Sequence, residues 1–332
     1  MSVITTSLVV TVGLLMPSSA QADGTEVIGR APGAVAAPVP ATAPAAAPAV
    51  DVTTTQVPTV ADTAPTPDAT PEAAPTTSRI VAELPPTTTD GFRMVGVTWS
   101  SGPATGVEVE VRTRTSGTWS EWTTLDVEDS GEGGVPGTEP LWVGDADGVA
   151  ARVTSPDGAV QDVSISTIDP GEADAATAVT GAGWSGTATG VATSTTAANV
   201  EGSPAYTPMP TIISRSAWGA SGGTPCDTPA AGDRTRGVVV HHTAGTNSYT
   251  KAQSASIVRA TQAYHVKSRR WCDLGYNFLV DKYGQIFVGR RGGIDRAIRA
   301  AHSGNGPVNT YTMGVSMMGN YDVTKPTPAL KD

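Results

Sequence analysis

The N-terminal half of the chain alternates apolar and polar residues in short stretches. Over positions 107–114, β-branched or apolar residues alternate with charged ones, which predicts a half-buried strand. Further strands are predicted at 92–99, 148–154 and 160–168, with Gly and Asp clusters as turns between them. We therefore predict a small all-β, sandwich-like domain over residues 90–170.

A different pattern follows residue 207. Val238, Val239 and Val240 form a β-branched run typical of a buried strand, and residues 251–268 predict a helix. Further strands are predicted at 275–280, 285–288 and 313–318, with a turn at 281–284. The order strand, helix, then several strands predicts a mixed α/β domain over residues 208–332. The protein is therefore expected to be multidomain.

The segments around these two domains are poor in large apolar residues. Residues 23–89 form a Pro/Ala/Thr-rich tract, and residues 171–207 are rich in Ala, Thr, Gly and Ser. Such segments bury too little apolar surface to offset the entropy lost on ordering. We expect both to be disordered linkers, one preceding the β domain and one joining the two domains.

Residues 1–22 predict a signal peptide. A short apolar run at 8–16 precedes Ala20-Gln21-Ala22, which fits a small-x-small cleavage site, although no Lys or Arg precedes the run. No apolar run reaches 18 residues, so no integral membrane segment is expected after cleavage. We expect a secreted or cell-wall-associated protein.

The formal charge of −10 is unevenly distributed along the 332 residues. Residues 1–207 carry −18, whereas residues 208–332 carry +8. A basic domain favours an anionic partner, either nucleic acid or an anionic wall polymer. The basic residues form no nucleic-acid recognition motif and export is expected, so we predict that nucleic acid is not a partner.

Four of the seven tryptophans fall in the predicted β domain: Trp99, Trp119, Trp122 and Trp142. Such rings can line a sugar-binding groove, but we expect them to fill the core of a small sandwich. Trp119 and Trp122 are three positions apart, so within one strand their rings would face opposite sides.

A series of motifs in the second domain carries the candidate chemistry. His241 and His242 directly follow the valine run, at a strand end where active sites often form. The motifs are, in order, residues 215–220, 238–243, 264–265, 271–278, 289–290, 301–304, 313–316 and 319–321. Together they resemble the peptidoglycan recognition protein and type 2 N-acetylmuramoyl-L-alanine amidase family over residues 209–328.

The resemblance implies hydrolysis of the amide between N-acetylmuramic acid and L-alanine in peptidoglycan, with one Zn²⁺ held by three protein ligands. It implies that His241 is a zinc ligand and that Tyr276 is catalytic, holding the attacking water or donating to the oxyanion. His302, His242 and Arg290 are expected to be substrate-binding residues.

Each of these residues has a plainer interpretation. His241 alone could be a hydrogen-bonded residue at a strand end, and Tyr276 could be a core tyrosine. His242 is expected to orient the strand end rather than bind metal, and His265 is expected to be structural. Four arginines could form a solvated face or contact stem-peptide carboxylates, and the sequence leaves this open: Arg290, Arg291, Arg296 and Arg299.

The sequence departs from the family pattern near Asp332, because the family's other two zinc ligands follow a later helix. We expect the domain to be incomplete at its C-terminus, with an incomplete zinc site and exposed apolar surface on the sheet. The alternative is a non-catalytic peptidoglycan-binding module, and a third interpretation is a secreted β-rich adhesin. The oligomeric state stays unknown.

Cys226 and Cys272 are the only cysteines. An isolated pair in an exported protein usually forms a disulfide, and the resemblance agrees with a bridge. The alternatives are two free thiols or a soft metal site.

Overall fold

The longest strands lie in the N-terminal half and organise the first sheet. The computed structural model describes residues 48–60, 79–102, 104–128, 132–155, 160–172, 210–221 and 229–331. The strands described in this half are β1 (Asp51–Gln56), β2 (Arg79–Thr98), β3 (Glu108–Thr115), β4 (Thr118–Trp119), β5 (Thr123–Leu125), β6 (Val127–Glu128), β7 (Gly137–Thr138), β8 (Leu141–Ser155) and β9 (Ser164–Asp169).

These nine strands share one hydrogen-bonded network in the order β1-β9-β2-β8-β3-β4, with β5 to β7 attached to its sides. The predicted strand at 107–114 is confirmed as β3, in which Val109, Val111 and Thr113 point into the core. The register between β2 and β8 shifts at four places, so these long strands bend around the core. The sandwich arrangement itself stays a prediction.

The predicted disordered linker at 23–89 is wrong at two places, because β1 and the start of β2 lie within it. Strand β1 is mostly exposed and pairs along its whole length with β9. Strand β1 is ordered by backbone hydrogen bonds to β9, which is distant in sequence, and amino-acid composition does not predict such bonds. The predicted signal peptide, residues 23–47 and 61–78, and residues 173–207 lie outside the described residues.

The tryptophans of the N-terminal domain divide into two pairs. Trp99 and Trp142 are buried, as expected, but Trp119 and Trp122 are half-buried. The guanidinium carbon of Arg112 lies 5.3 Å from the Trp119 ring centre and 4.8 Å from that of Trp122. Both rings therefore lie near one side chain. Because β4 ends at Trp119, the two rings do not share a strand, and the expectation for a single strand does not apply.

The C-terminal domain is built on a second sheet in the order β10-β13-β12-β14-β11. Only β12 and β13 pair antiparallel, so this is the predicted mixed sheet. Its strands are β10 (Ile212–Ile213), β11 (Gly237–His242), β12 (Phe278–Val280), β13 (Ile286–Val288) and β14 (Thr312–Met317). The helices are α1 (Arg215–Trp218), α2 (Ser254–Ala263), α3 (Gly306–Tyr311) and α4 (Pro328–Lys331).

Strand β11 was predicted to be buried, and this prediction is wrong. It lies at the edge of the sheet, and Val238 and Val240 are 59% and 61% exposed. A β-branched run reports strand propensity but not whether another element covers the strand. Exposed apolar surface was expected on this sheet, and it occurs at these two valines.

The predicted helix at 251–268 is confirmed. A 3-10 turn (Lys251–Gln253) leads into α2, and a π-helical turn (Tyr264–Ser268) follows it. Every residue of α2 is buried. The buried Arg259 donates hydrogen bonds to the Trp218 carbonyl at 3.0 Å and to Ser256 Oγ at 2.9 Å. These two neutral acceptors bind the two terminal nitrogens of the guanidinium.

The two domains share part of one apolar core. Met94, Trp142 and Ile168 of the N-terminal domain pack in the same buried cluster as α2 and the second sheet. All the described residues belong to one compact unit, Pro44–Asp332. Within the described part of the chain, no helix combines the length and apolar character needed to cross a membrane.

Candidate functional site

Strand β11 places His241 at the end of the second sheet. His241 pairs in register with Ser316 of β14, and its ring lies near two other candidate residues. The ring centre is 4.9 Å from that of His302 and 5.7 Å from that of Tyr276. The structure therefore brings His241, His302 and Tyr276 together from three separate motifs.

A chain of hydrogen bonds sets the tautomers of both histidines. Thr312 Oγ1 donates to the Val308 carbonyl at 2.8 Å, so it accepts from His302 Nε2 at 3.1 Å. His302 Nδ1 is then an acceptor, and His241 Nε2 donates to it at 2.9 Å. This network leaves the lone pair of neutral His241 on Nδ1.

Both imidazoles are neutral near pH 7. Burial lowers the pKa of His241 to about 4, and the neighbouring His302 and His242 add to the effect. Burial also lowers the pKa of His302. A neutral imidazole with a free lone pair is the form that binds a metal ion, whereas an imidazolium is not.

Tyr276 lies in the loop that precedes β12, and its side chain is buried. Its hydroxyl donates a hydrogen bond to Glu139 Oε1 at 2.7 Å. Burial raises the pKa of Tyr276 well above its usual value, and the charges of Glu139 and Glu128 raise it further. Tyr276 is therefore a neutral phenol at physiological pH.

Glu139 comes from the N-terminal domain, between β7 and β8, and is itself buried. Burial first, and then the adjacent Glu128, raise its pKa well above that of an ordinary glutamate. No sequence signal distinguished Glu139, because it lies in no motif and its partner follows 137 positions later.

A groove of about 660 Å³ opens between these groups. Its walls come from both domains. The groove is lined by Asp126, Val127, Glu128, Glu139, Val240, His241, His242, Tyr276, Met317, Tyr321 and Asp322. A cleft with imidazole, phenol and carboxyl groups suits binding and proton-holding chemistry on a polar ligand.

His242 lies on the wall of this groove beside two carboxylates. Its Nδ1 accepts a hydrogen bond from the Tyr321 backbone amide at 3.0 Å, as expected for a residue that orients the strand end. Its Nε2 lies 3.9 Å from Asp126 Oδ2 and 3.7 Å from Asp322 Oδ2.

These three side chains place one ligand-type atom each within 4.8 Å of one another. Because Nδ1 of His242 is an acceptor, Nε2 of the imidazole carries the proton and offers no lone pair. A cation at this cluster would require His242 to give up that proton.

His241 meets the requirements of a zinc ligand, since its Nδ1 lone pair is free and its ring is oriented through a second histidine. A catalytic zinc needs three protein ligands. Among the described residues of the groove, His241 is the histidine that offers a free imidazole lone pair. The predicted incomplete zinc site stays a prediction.

His302 and Arg290 do not line this groove, and the substrate-binding role expected of them stays a prediction. His302 is buried beneath His241 and is not on the groove wall. Arg290 is buried away from the groove and forms an ion pair with Glu132 of the N-terminal domain. The ion pair gives the Arg290 guanidinium a carboxylate partner within the protein.

His265 is buried at the end of the helical segment, as expected for a structural residue. It accepts a hydrogen bond from the Gly275 amide at 3.1 Å and packs 4.6 Å from the Trp271 ring centre. Of the two cysteines, Cys226 lies outside the described residues, so the disulfide with Cys272 stays a prediction.

Two family models match the chain, one for each domain. Residues 43–183 match the Rv3811 N-terminal galactose-binding domain-like family. Residues 231–332 match the N-acetylmuramoyl-L-alanine amidase family. The chain therefore has an N-terminal galactose-binding-like domain and a C-terminal amidase-type domain.

The C-terminal domain is also similar to curated peptidoglycan recognition proteins. It is 36% identical over 111 residues to peptidoglycan-recognition protein SC1a/b of Drosophila simulans, covering 33% of this chain and 56% of the relative. It is 40% identical over 111 residues to peptidoglycan recognition protein 1 of Bos taurus, covering 33% and 54%. The C-terminal domain is therefore similar to the peptidoglycan recognition protein and N-acetylmuramoyl-L-alanine amidase family.

The chain spans a little over half the length of these curated relatives. Among solved structures, it is 33% identical to peptidoglycan recognition protein-LE in complex with tracheal cytotoxin, covering 36% of this chain and 66% of that one at a TM-score of 0.32. A TM-score this low says nothing about the site. The family in general supports peptidoglycan binding or amidase activity.

Proposed function

We propose that the C-terminal domain binds the muramyl-peptide part of peptidoglycan in the groove between the two domains and hydrolyses the amide between N-acetylmuramic acid and L-alanine. The observation that carries the proposal is the placement of a neutral, oriented His241 beside the neutral Tyr276 in one groove. The family of the domain supports the substrate class.

The residues of this chain would divide the work as follows. His241 would hold a zinc ion through Nδ1, while His302 fixes its ring through the hydrogen bond to Nε2. Bound zinc would activate a water molecule and polarise the scissile carbonyl. Tyr276 would contact the attacking water or the developing oxyanion, and the groove walls would orient the substrate.

A direct test incubates the full chain with a muramyl tripeptide, with and without added Zn²⁺, and detects the released peptide by its new L-alanine amino terminus. We expect release that requires Zn²⁺ and that His241→Ala and Tyr276→Phe each abolish or strongly reduce. Tyr311→Phe is the matched control, because Tyr311 does not line the groove. Undiminished release by His241→Ala would refute the ligand assignment.

The second candidate function is peptidoglycan binding without hydrolysis. It is favoured by the single lone-pair histidine among the described residues of the groove. In this case isothermal titration calorimetry would detect binding of the muramyl peptide, and the full chain would release no peptide with or without Zn²⁺. We propose that either function operates outside the cell, at the cell wall, because the wall polymer peptidoglycan is the ligand. We also propose that the disulfide predicted between Cys226 and Cys272 stabilises the fold outside the cell.

A further inference from the structure

The walls of the groove come from two domains, and the N-terminal domain contributes a side chain that contacts Tyr276. The backbone amide of Glu139 donates to the Asp126 carbonyl at 2.7 Å, which fixes the start of the segment leading to β8. The Glu139 side chain then reaches Tyr276 in the other domain. Asp126 and Glu128 from the same domain form the adjacent wall.

Contacts from the C-terminal domain hold this segment in place. The carbonyl of Thr138, the residue before Glu139, lies 3.0 Å from the Tyr264 hydroxyl and 3.2 Å from Arg269 Nη1. Arg269 Nε also donates to the Val135 carbonyl at 3.0 Å. Because Tyr264 and Arg269 are completely buried, Glu139 has little freedom to move relative to Tyr276.

The contact also limits what the Tyr276 hydroxyl can do. A neutral phenol has one proton, and Tyr276 gives it to Glu139 Oε1. The phenol oxygen keeps its lone pairs, and because Tyr276 lines the groove, they are available to accept a hydrogen bond from water or from a ligand. Of the two roles open to this tyrosine, holding the attacking water is the one compatible with the bond to Glu139.

We propose that Glu139 of the galactose-binding-like domain is a positioning residue of the amidase-type site, and that it orients the Tyr276 hydroxyl so that its oxygen accepts a hydrogen bond in the groove. The role in hydrolysis rests on the proposed function, whereas the orientation of Tyr276 does not. The N-terminal domain is thereby part of the site, in addition to any binding of its own.

The first experiment tests the orientation without substrate or metal. The full chain is labelled with ¹³C at tyrosine Cζ, and the Tyr276 signal is identified by its loss in Tyr276→Phe. Glu139→Met keeps a similar volume but removes the acceptor, and we expect it to shift the Tyr276 signal, whereas Glu139→Gln retains an acceptor and shifts it less. Glu121→Gln, an exposed site in the same domain, is the control. An unmoved signal in Glu139→Met would overturn the proposal.

The second experiment tests the functional role on a muramyl tripeptide with Zn²⁺. We expect Glu139→Met to lower kcat by about tenfold or more with KM within about twofold, and Glu139→Gln to keep kcat within about threefold of wild type. If Glu139→Met kept the wild-type kcat, the contact between Glu139 and Tyr276 would have a structural role only, and the positioning role would be refuted. Absence of product from the wild type would contradict the proposed hydrolysis alone, because the Tyr276 signal still decides whether Glu139 orients the hydroxyl.

Discussion

His302 Nδ1 lies 2.9 Å from His241 Nε2, and this contact decides which nitrogen of His241 can bind a metal ion. Ligating histidines in metalloproteins usually donate their second ring N–H to a fixed acceptor. Here the acceptor is another histidine, whose own tautomer is set by Thr312 at the end of α3. Thr312, at the end of α3, thus determines through His302 which ring nitrogen of His241 in β11 is free to bind a metal ion.

We therefore predict that Thr312→Val weakens Zn²⁺ binding by about tenfold, which is at the low end for loss of an outer-shell partner. Without the Thr312 hydroxyl, His302 is no longer held with its proton on Nε2, and its Nδ1 is a poorer acceptor for His241. Competition with a chromophoric chelator at fixed pH measures the affinity.

The matched control for this experiment is Thr310→Val. Thr310 lies in the same helix and donates to the carbonyl four residues earlier, as Thr312 does, but it contacts no histidine. We expect its zinc affinity to stay within about twofold of wild type. Equal losses in both variants would show that the effect comes from the helix end and not from the tautomer.

Glu139 predicts a pH-dependent stability. Its folded-state pKa is raised by burial and by Glu128, so between the unfolded and folded pKa values the native state holds a proton that the unfolded state has lost. The stabilisation is complete below the unfolded pKa of about 4.3 and is lost as the pH rises towards the folded pKa.

Glu139→Gln imitates the protonated carboxyl and removes this dependence. We expect its melting temperature to exceed that of wild type increasingly between pH 5 and pH 8, as measured by circular dichroism. Glu121→Gln, which is exposed, should follow the wild-type curve. A constant difference across the pH range would mean that Glu139 ionises as an ordinary glutamate in the folded protein.

The sequence predicts the local elements better than their surroundings. The alternation at 107–114 and the motif at 238–243 predict β3 and the position of His241, because both depend on residues close together in the chain. The exposure of β11 and the pairing of β1 with β9 depend on elements far away, and no local pattern reports them.

The candidate site shows the same division. Motifs identify His241, Tyr276 and His302, and the structure brings all three together. Motifs do not show that His302 is buried beneath His241 or that Arg290 is paired with Glu132. Glu139 was missed entirely, since a single glutamate between two strands carries no signal until the domains are packed.

Tyr264 provides a test of the domain interface. Its buried hydroxyl lies 3.0 Å from both the Val97 and Thr138 carbonyls. We predict that Tyr264→Phe destabilises the protein by about 1–3 kcal/mol, because the one hydroxyl proton that serves these two buried carbonyls is lost. Urea unfolding measures the change. As a control, Tyr283→Phe removes a part-exposed hydroxyl bonded to one carbonyl and should lower the free energy of unfolding by about 1 kcal/mol or less. Equal losses of stability in the two variants would argue against a special role of the interface.

Gly96 of β2 makes the same interface sensitive to a single methyl group. A Cβ at this position would overlap the Tyr264 ring, which is completely buried and cannot turn away without breaking its bonds to Val97 and Thr138. We predict that Gly96→Ala destabilises the protein by about 1–3 kcal/mol or more, as overpacking does in other cores. Gly91→Ala lies on the same strand with open space around it and should change stability by no more than about 0.5 kcal/mol. If Gly96→Ala unfolds at the wild-type urea concentration, the two domains do not pack as closely in solution as the fit of Tyr264 against β2 requires.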